Sequence, residues 1–117
     1  MQEEIVNGEI DSTFFGREDH GILTCSMWLR MSNGFYTNYG GWSFTGKGKD
    51  GKPGYSVKGL QALDLIMQTV GVKKWEDLPG KHIRVILDNR GMVDGIINFM
   101  DDSKRFSFRE FYSKDDE

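Results

Sequence analysis

The sequence predicts an α+β domain in which an antiparallel sheet packs on one main helix. Several segments alternate apolar and polar residues with a period of two, which is typical of half-buried strands. One segment instead repeats apolar residues at helical spacing. The chain also contains 15 Gly but only 2 Pro, which favours strands joined by turns over a helical bundle. Its 117 residues, 38% of them hydrophobic, are enough for one domain with its own core.

Residues 3–15 are predicted to form the first strand. Val6, Ile10 and Phe14 fall on one face of the alternating pattern, and acidic side chains occupy the other. Within this strand, Asn7-Gly8 permits a bend or a bulge.

The second strand has the clearest alternation in the chain. Its apolar face comprises Leu23, Cys25, Met27, Leu29 and Met31. Asn33-Gly34 then predicts a hairpin turn of type I′, because that turn needs two residues that accept a positive φ. A third strand, over residues 35–45, is rich in aromatic residues and is interrupted by Gly40-Gly41.

The middle of the chain is predicted to contain a loop and a helix. Residues 46–54 are rich in Gly and Lys, which predicts a flexible loop. A helix over about residues 57–70 follows, where apolar side chains recur at helical spacing. Ser56 is suited to cap the start of this helix, and Gly71 is placed to end it.

Two further strands, over residues 82–87 and 92–100, complete the predicted sheet. The aromatic segment 106–112 is expected to dock on the body, and the acidic residues 114–117 are expected to be disordered. The order is thus β-β-β-α-β-β in a single domain of residues 1–113. This order fits a small OB-like barrel, with its helix between the third and fourth strands, and equally a curved antiparallel sheet on one helix.

Composition and charge exclude several classes of protein. No stretch approaches the roughly 20 apolar residues of a bilayer-spanning helix, and the acidic N-terminus does not have the layout of a secretory signal. The single Cys25 excludes an intramolecular disulfide and a cysteine-based metal site. We therefore expect a cytoplasmic protein with no cofactor and no membrane contact. The net charge of −3 hides an acidic segment, 1–20, and a basic one, 30–58, which can steer a charged partner.

The sequence contains no recognisable catalytic motif. Phosphate-binding loops, dinucleotide-binding fingerprints and zinc-protease helices are all missing from it, so we expect no enzymatic activity and assign no catalytic residue. Glu18, Asp19 and His20 place an imidazole beside two carboxylates, a combination that can bind a metal, act as an acid/base pair or bind a partner. In a turn, however, such residues more often satisfy local backbone donors. We include all three among the candidate partner-binding residues.

Aromatic and basic residues are concentrated around the predicted hairpin. The other candidate binding residues are Trp28, Arg30, Tyr36, Tyr39, Trp42, Lys47, Lys49 and Lys52. Aromatic rings beside a basic loop suit a nucleotide or a single-stranded nucleic acid, at about 1–3 kcal/mol per stacked base. The same rings suit a partner protein, a homo-oligomer interface or the second face of a barrel. The overall acidity argues against DNA, because non-specific binding rests on phosphate neutralisation.

Two segments resemble a family of small phage and prophage proteins. Residues 12–24 resemble the family phrase Ser/Thr-Thr-x-Leu-Gly-x-Glu-Asp-His-Gly-Ile-x-Thr. Residues 71–85, which include Trp75-Glu76-Asp77-Leu78-Pro79-Gly80, resemble its carboxy-terminal half. Between them, Tyr39-Gly40-Gly41-Trp42 is similar, but not identical, to the family's Gly-Phe-Gly-Gly-Tyr-like stretch. The resemblance covers about residues 9–100.

The resemblance implies a phage-encoded protein in the cytoplasm of a host cell. Accessory phage proteins of this size without catalytic motifs often bind and neutralise a host factor, such as a defence protein or a nucleotide signal. We therefore expect a non-enzymatic inhibitor or sequestering protein. The alternative is an OB-like protein that binds single-stranded DNA in phage replication or recombination.

Overall fold

Eight strands and two helices are found in the described residues, which are 4–18, 21–47, 51 and 53–113 of the computed structural model. The strands are β1 (Glu4–Arg17), β2 (Leu23–Met31), β3 (Tyr36–Ser43), β4 (Thr45–Lys47), β5 (Pro53–Tyr55), β6 (His82–Leu87), β7 (Val93–Asn98) and β8 (Arg105–Ser107). The helices are α1 (Val57–Val70) and α2 (Phe108–Ser113), and Trp75–Asp77 forms a 3₁₀ turn.

Six strands form one antiparallel sheet in the order β3-β2-β1-β6-β7-β8, while β4 and β5 pair with each other. The sheet curls into a half-barrel that packs with α1. The predicted α+β class with an antiparallel sheet is therefore confirmed. The sheet is consistent with a small OB-like barrel, although its strand order differs in detail.

One face of the sheet, called the inner face, forms the core together with α1. The large side chains that are fully buried include Ile10, Met27, Leu29, Ile66, Ile83, Val85, Leu87 and Ile96. The predicted apolar face of the second strand is confirmed, because its members all belong to or pack against this core. Among the described residues, neither helix combines the length and the apolar character needed to cross a bilayer.

A bulge in β1 changes the face that the later side chains occupy. Ile10 is opposite Leu29 and Ser12 is opposite Trp28, so Asp11 is an extra residue on β1. Ile10 is consequently buried on the inner face, whereas Phe14 lies on the outer face and is 42% exposed. The prediction that Phe14 shares a face with Ile10 is wrong, because one inserted residue reverses the alternation.

The predicted helix is confirmed, and it begins and ends where the sequence predicts. The hydroxyl of Ser56 accepts a hydrogen bond from the backbone N–H of Gly59 at 2.9 Å. At the other end, Gly71 adopts a left-handed conformation with φ 94°, and its N–H donates to the carbonyl of Met67. Both signals are local in sequence, which is why they predict the ends of α1 correctly.

Replacing Ser56 with alanine is expected to lower the free energy of unfolding by about 1 kcal/mol, because the N–H of Gly59 loses its acceptor. Urea unfolding followed by circular dichroism measures this change. Ser32→Ala is the matched control, since Ser32 lies exposed in a turn. Equal unfolding midpoints for the two variants would contradict a capping role for Ser56.

The hairpin between β2 and β3 is confirmed, but its turn differs from the predicted one. The N–H of Gly34 donates to the carbonyl of Met31 at 2.9 Å. The turn therefore begins at Met31, one position earlier than a type I′ turn centred on Asn33-Gly34 would. The side chain of Asn33 instead accepts a hydrogen bond from the N–H of Phe35 at 3.0 Å.

Two further predictions concern segments 46–54 and 106–112. The first was predicted to be a loop, yet it contributes to the β4–β5 hairpin. The second docks on the body as expected, since Phe106 in β8 is buried and α2 follows it directly. The predicted disordered tail, 114–117, lies outside the described residues.

Candidate binding site

The structure divides the candidate binding residues of the predicted hairpin between the two faces of the sheet. Trp28, Arg30 and Tyr36 are exposed on the outer face. Tyr39 and Trp42 pair with residues of the inner face and are only 5% and 8% exposed. The single surface expected from the sequence is therefore not formed: three of these residues come together outside, and the other two belong to the core.

A second bulge explains why Trp42 is buried. Ser26 is opposite Gly40 and Cys25 is opposite Trp42, so Gly41 is an extra residue on β3. Gly40 and Gly41 have φ values of 130° and 85°, a region that residues with a side chain rarely adopt. A Cβ on Gly40 would also lie 2.8 Å from the Cα of Ser26. The two glycines thus permit the bulge that turns Trp42 inward.

Tyr39 and Trp42 connect β3 to the rest of the fold. The indole N–H of Trp42 donates to the carbonyl of Gly59 in α1 at 3.3 Å. The hydroxyl of Tyr39 accepts from the N–H of Phe108 at 3.0 Å and lies 3.5 Å from the carbonyl of Asp94, to which it donates. Burial raises the pKa of Tyr39, which keeps this hydroxyl protonated as a donor.

The exposed residues form an ordered group that we call the hairpin cluster: Asp11, Trp28, Arg30 and Tyr36. The rings of Trp28 and Tyr36 stack, with centroids 5.2 Å apart and planes 13° from parallel. The guanidinium carbon of Arg30 lies 5.4 Å from the centroid of the Tyr36 ring. Arg30 and Tyr36 are direct cross-strand neighbours, and Trp28 is the diagonal neighbour of Tyr36, so the hairpin register brings these three side chains together.

Asp11 holds the other polar groups of the hairpin cluster in place. One carboxylate oxygen lies 2.9 Å from a guanidinium nitrogen of Arg30, and the other accepts a hydrogen bond from the hydroxyl of Tyr36 at 2.8 Å. This hydrogen bond raises the pKa of Tyr36. Sequence reasoning missed Asp11, because its position depends on the bulge in β1 and no sequence signal locates that bulge.

The predicted acidic turn and basic loop are described only in part. Glu18 closes the turn after β1: its N–H donates to the carbonyl of Ile22 at 3.0 Å, and its carbonyl accepts from Gly21 at 2.8 Å. The backbone of Lys47 belongs to β4. Asp19, His20, Lys49, Lys52 and the side chain of Lys47 lie outside the described residues. Within the described part of the chain, no three His, Cys, Asp or Glu side chains are grouped to hold a metal ion.

A cleft of about 500 Å³ lies beside the hairpin cluster, between β3 and the turn that joins β6 to β7. Residues Tyr36–Gly40 line one side of it, and Arg90–Val93 line the other. We call it the edge cleft, because β3 is a terminal strand of the sheet. Sequence reasoning did not find it, since its two walls are distant in sequence and meet only when the sheet curls.

The site is equipped for binding through stacking, hydrogen bonding and charge. The hairpin cluster offers two aromatic rings, a guanidinium and a carboxylate on one exposed surface. The thiol of Cys25 lies outside this surface, and burial raises its pKa to about 12.

No protein-family model matches this sequence, and comparison with curated protein sequences gives no match either.

Proposed function

We propose that this chain is a non-enzymatic binding protein that captures a host protein through the hairpin cluster, as a phage-type accessory inhibitor. The observation that carries the proposal is the stacked, exposed pair of Trp28 and Tyr36 beside Arg30. Trp, Tyr and Arg are the residue types most enriched among the residues that dominate protein–protein binding energy.

The order of the hairpin cluster supports this role. Trp28 is 38% exposed and Tyr36 is 49% exposed, so both rings offer apolar area to a partner. Their mutual stacking and the bonds from Asp11 to Arg30 and Tyr36 restrict the side chains before a partner arrives. Such preorganisation reduces the entropy that binding costs.

The charge of the cluster favours a protein over a nucleic acid. The carboxylate of Asp11 lies 2.9 Å from the guanidinium of Arg30 and offsets its charge. The chain as a whole has a formal charge of −3. Phosphate backbones are held mainly by uncompensated cations, whereas a mixed aromatic and charged surface suits the central part of a protein interface.

Single-stranded DNA is the second candidate, and one observation favours it. The stacked rings lie on β2 and β3 of a half-barrel, and OB-folds bind oligonucleotides on the face of their second and third strands. Fluorescence anisotropy with labelled oligo-dT at low salt distinguishes the two candidates. The protein-binding proposal predicts no change in anisotropy, and salt-sensitive binding would favour DNA.

Capture from a host lysate, quantified by mass spectrometry, tests the proposal. Immobilised wild type is expected to retain a host protein, and Trp28→Ala is expected to retain at least tenfold less of it. Tyr55→Ala is the matched control, because Tyr55 is an aromatic residue that is 80% exposed away from the cluster. Equal retention by wild type and Trp28→Ala would contradict the proposal.

A further inference from the structure

We propose that β3 accepts a single extended segment of the partner protein as an additional strand, seated in the edge cleft. This inference rests on the proposed function and specifies the part of the partner that is bound. Strand addition is a common mode of peptide recognition, in which backbone hydrogen bonds provide affinity and side-chain pockets provide specificity.

The backbone of β3 has unused hydrogen-bonding groups. The N–H of Met31 donates to the carbonyl of Phe35 at 2.8 Å. Because hydrogen-bonded pairs alternate along antiparallel strands, Thr37 also faces β2, whereas Tyr36 and Asn38 direct their backbone groups away from it. Among the described residues, no strand pairs with β3 on that side, and none bonds to the backbone of Tyr36 or Asn38 there.

Exposed sheet edges normally carry features that prevent such pairing. Proline, lysine and inward-pointing charges are common protective devices. Residues 36–39 contain none of these. A β-bulge is another such device, and the bulge at Gly40-Gly41 limits the regular edge to these four residues. The opposite edge, β8, has only three residues, so β3 is the edge that offers the longer template.

The walls of the edge cleft select the kind of occupant. Arg90–Val93 faces β3 across the cleft, while Tyr39 and Phe108 line it from the inner side. A second copy of this chain would have to bring a strand that is already paired on its far side into a cleft of about 500 Å³. A single extended chain needs room for one strand only, and it is the occupant that we propose.

The lining of the cleft indicates the chemistry of the segment. Apolar side chains predominate: Met31, Phe35, Met92, Val93 and Phe108. Among the described lining residues Arg90 alone is charged, and Asp88, 3.0 Å away, offsets the charge of its largely exposed side chain. The occupant is therefore an extended segment in which apolar and polar residues alternate, with the apolar side chains toward this lining.

Selection of binders from a displayed library of random linear 12-residue peptides tests the inference, with the full chain as the target. Asn38→Pro removes one N–H that faces the cleft. It leaves the β2–β3 ladder intact, because proline is tolerated where the N–H of an edge strand points outward. Asn38→Ala is the matched control, since it changes the same side chain but keeps the N–H.

The selected peptides are expected to bind wild type and Asn38→Ala within about threefold of each other. Binding to Asn38→Pro is expected to be at least tenfold weaker, a difference of about 1.4 kcal/mol. Circular dichroism melting establishes that both variants are folded. Hydrogen exchange of the backbone amides of Tyr36 and Asn38 should slow when a peptide is bound, because each N–H then donates to the backbone of the peptide.

Three results with the purified proteins would overturn the inference. The first is peptide enrichment on wild type that is no higher than on Asn38→Pro. The second is equal affinity of the selected peptides for these two proteins. The third is sedimentation that gives a dimer for wild type but a monomer for Asn38→Pro. The last result would assign the edge to a second copy. Host-protein capture that is lost in Trp28→Ala but kept in Asn38→Pro would overturn strand addition alone, and the proposed function would stand.

Discussion

Replacing Trp42 with alanine should lower the free energy of unfolding by about 3–5 kcal/mol, whereas replacing Trp28 should lower it by about 1 kcal/mol. Trp42 is 8% exposed, and its ring centroid lies 5.0 Å from that of Phe108. Alanine would leave a cavity between β3, α1 and α2 and would leave the carbonyl of Gly59 without the indole donor. Because domains are typically stable by only 5–15 kcal/mol, this variant loses a large part of its stability.

Urea unfolding of the two alanine variants, followed by circular dichroism, measures this difference. Trp42→Phe is the control for the hydrogen bond, because it keeps an aromatic ring in the core and loses the donor to Gly59. Its free energy of unfolding should fall by about 1–2 kcal/mol. Equal unfolding midpoints for Trp42→Ala and Trp28→Ala would contradict the division of the two tryptophans between core and surface.

Replacing Gly95 with alanine should destabilise the fold by about 3 kcal/mol, near the upper end of what overpacking usually costs. A Cβ on Gly95 would lie 2.5 Å from the carbonyl oxygen of Phe106 and 3.1 Å from the Cα of Ser107. Both are backbone atoms, so no side-chain rotation relieves the clash. β8 would have to move away from β7, and the buried ring of Phe106 would move with it.

Gly54→Ala is the matched control for Gly95→Ala. A Cβ on Gly54 would meet no atom of the described residues within 4 Å, so the unfolding midpoint of this variant should stay close to that of wild type. The same urea experiment compares the two variants. A midpoint for Gly95→Ala as high as that for Gly54→Ala would contradict the close packing of β8 on β7.

The features that were predictable from sequence depend on local chemistry. Helix α1 has its cap at Ser56 and its end at Gly71, and each signal acts within a few residues. The alternation in β2 likewise determines which of its side chains are buried. The α+β class follows from such local patterns, because each element must bury its apolar face against another.

The features that were not predictable depend on bulges and on distant contacts. One extra residue in β1 moves Phe14 outward and brings Asp11 to Arg30, and one extra residue in β3 turns Trp42 inward. Regular alternation assigns the wrong face after each of these positions. The docking of Tyr39 on Phe108 joins segments far apart in the chain, so no local pattern indicates it.

The hairpin cluster and the edge cleft meet at Tyr36. Its ring stacks on Trp28, and its backbone groups face the cleft. A partner that inserts a strand beside β3 would therefore also reach the exposed rings. The two proposals together describe one continuous binding surface, with stacking on the outer face and backbone pairing at the edge.

Equilibrium titration of the captured host protein with wild type and with Trp28→Ala is the most direct test of this binding surface. Because Trp28 lies outside the core, the variant is expected to stay folded, with a free energy of unfolding only about 1 kcal/mol below that of wild type. Its affinity is expected to fall at least tenfold, which corresponds to about 1.4 kcal/mol. Unchanged affinity in a folded Trp28→Ala variant would contradict the assignment of binding to the hairpin cluster.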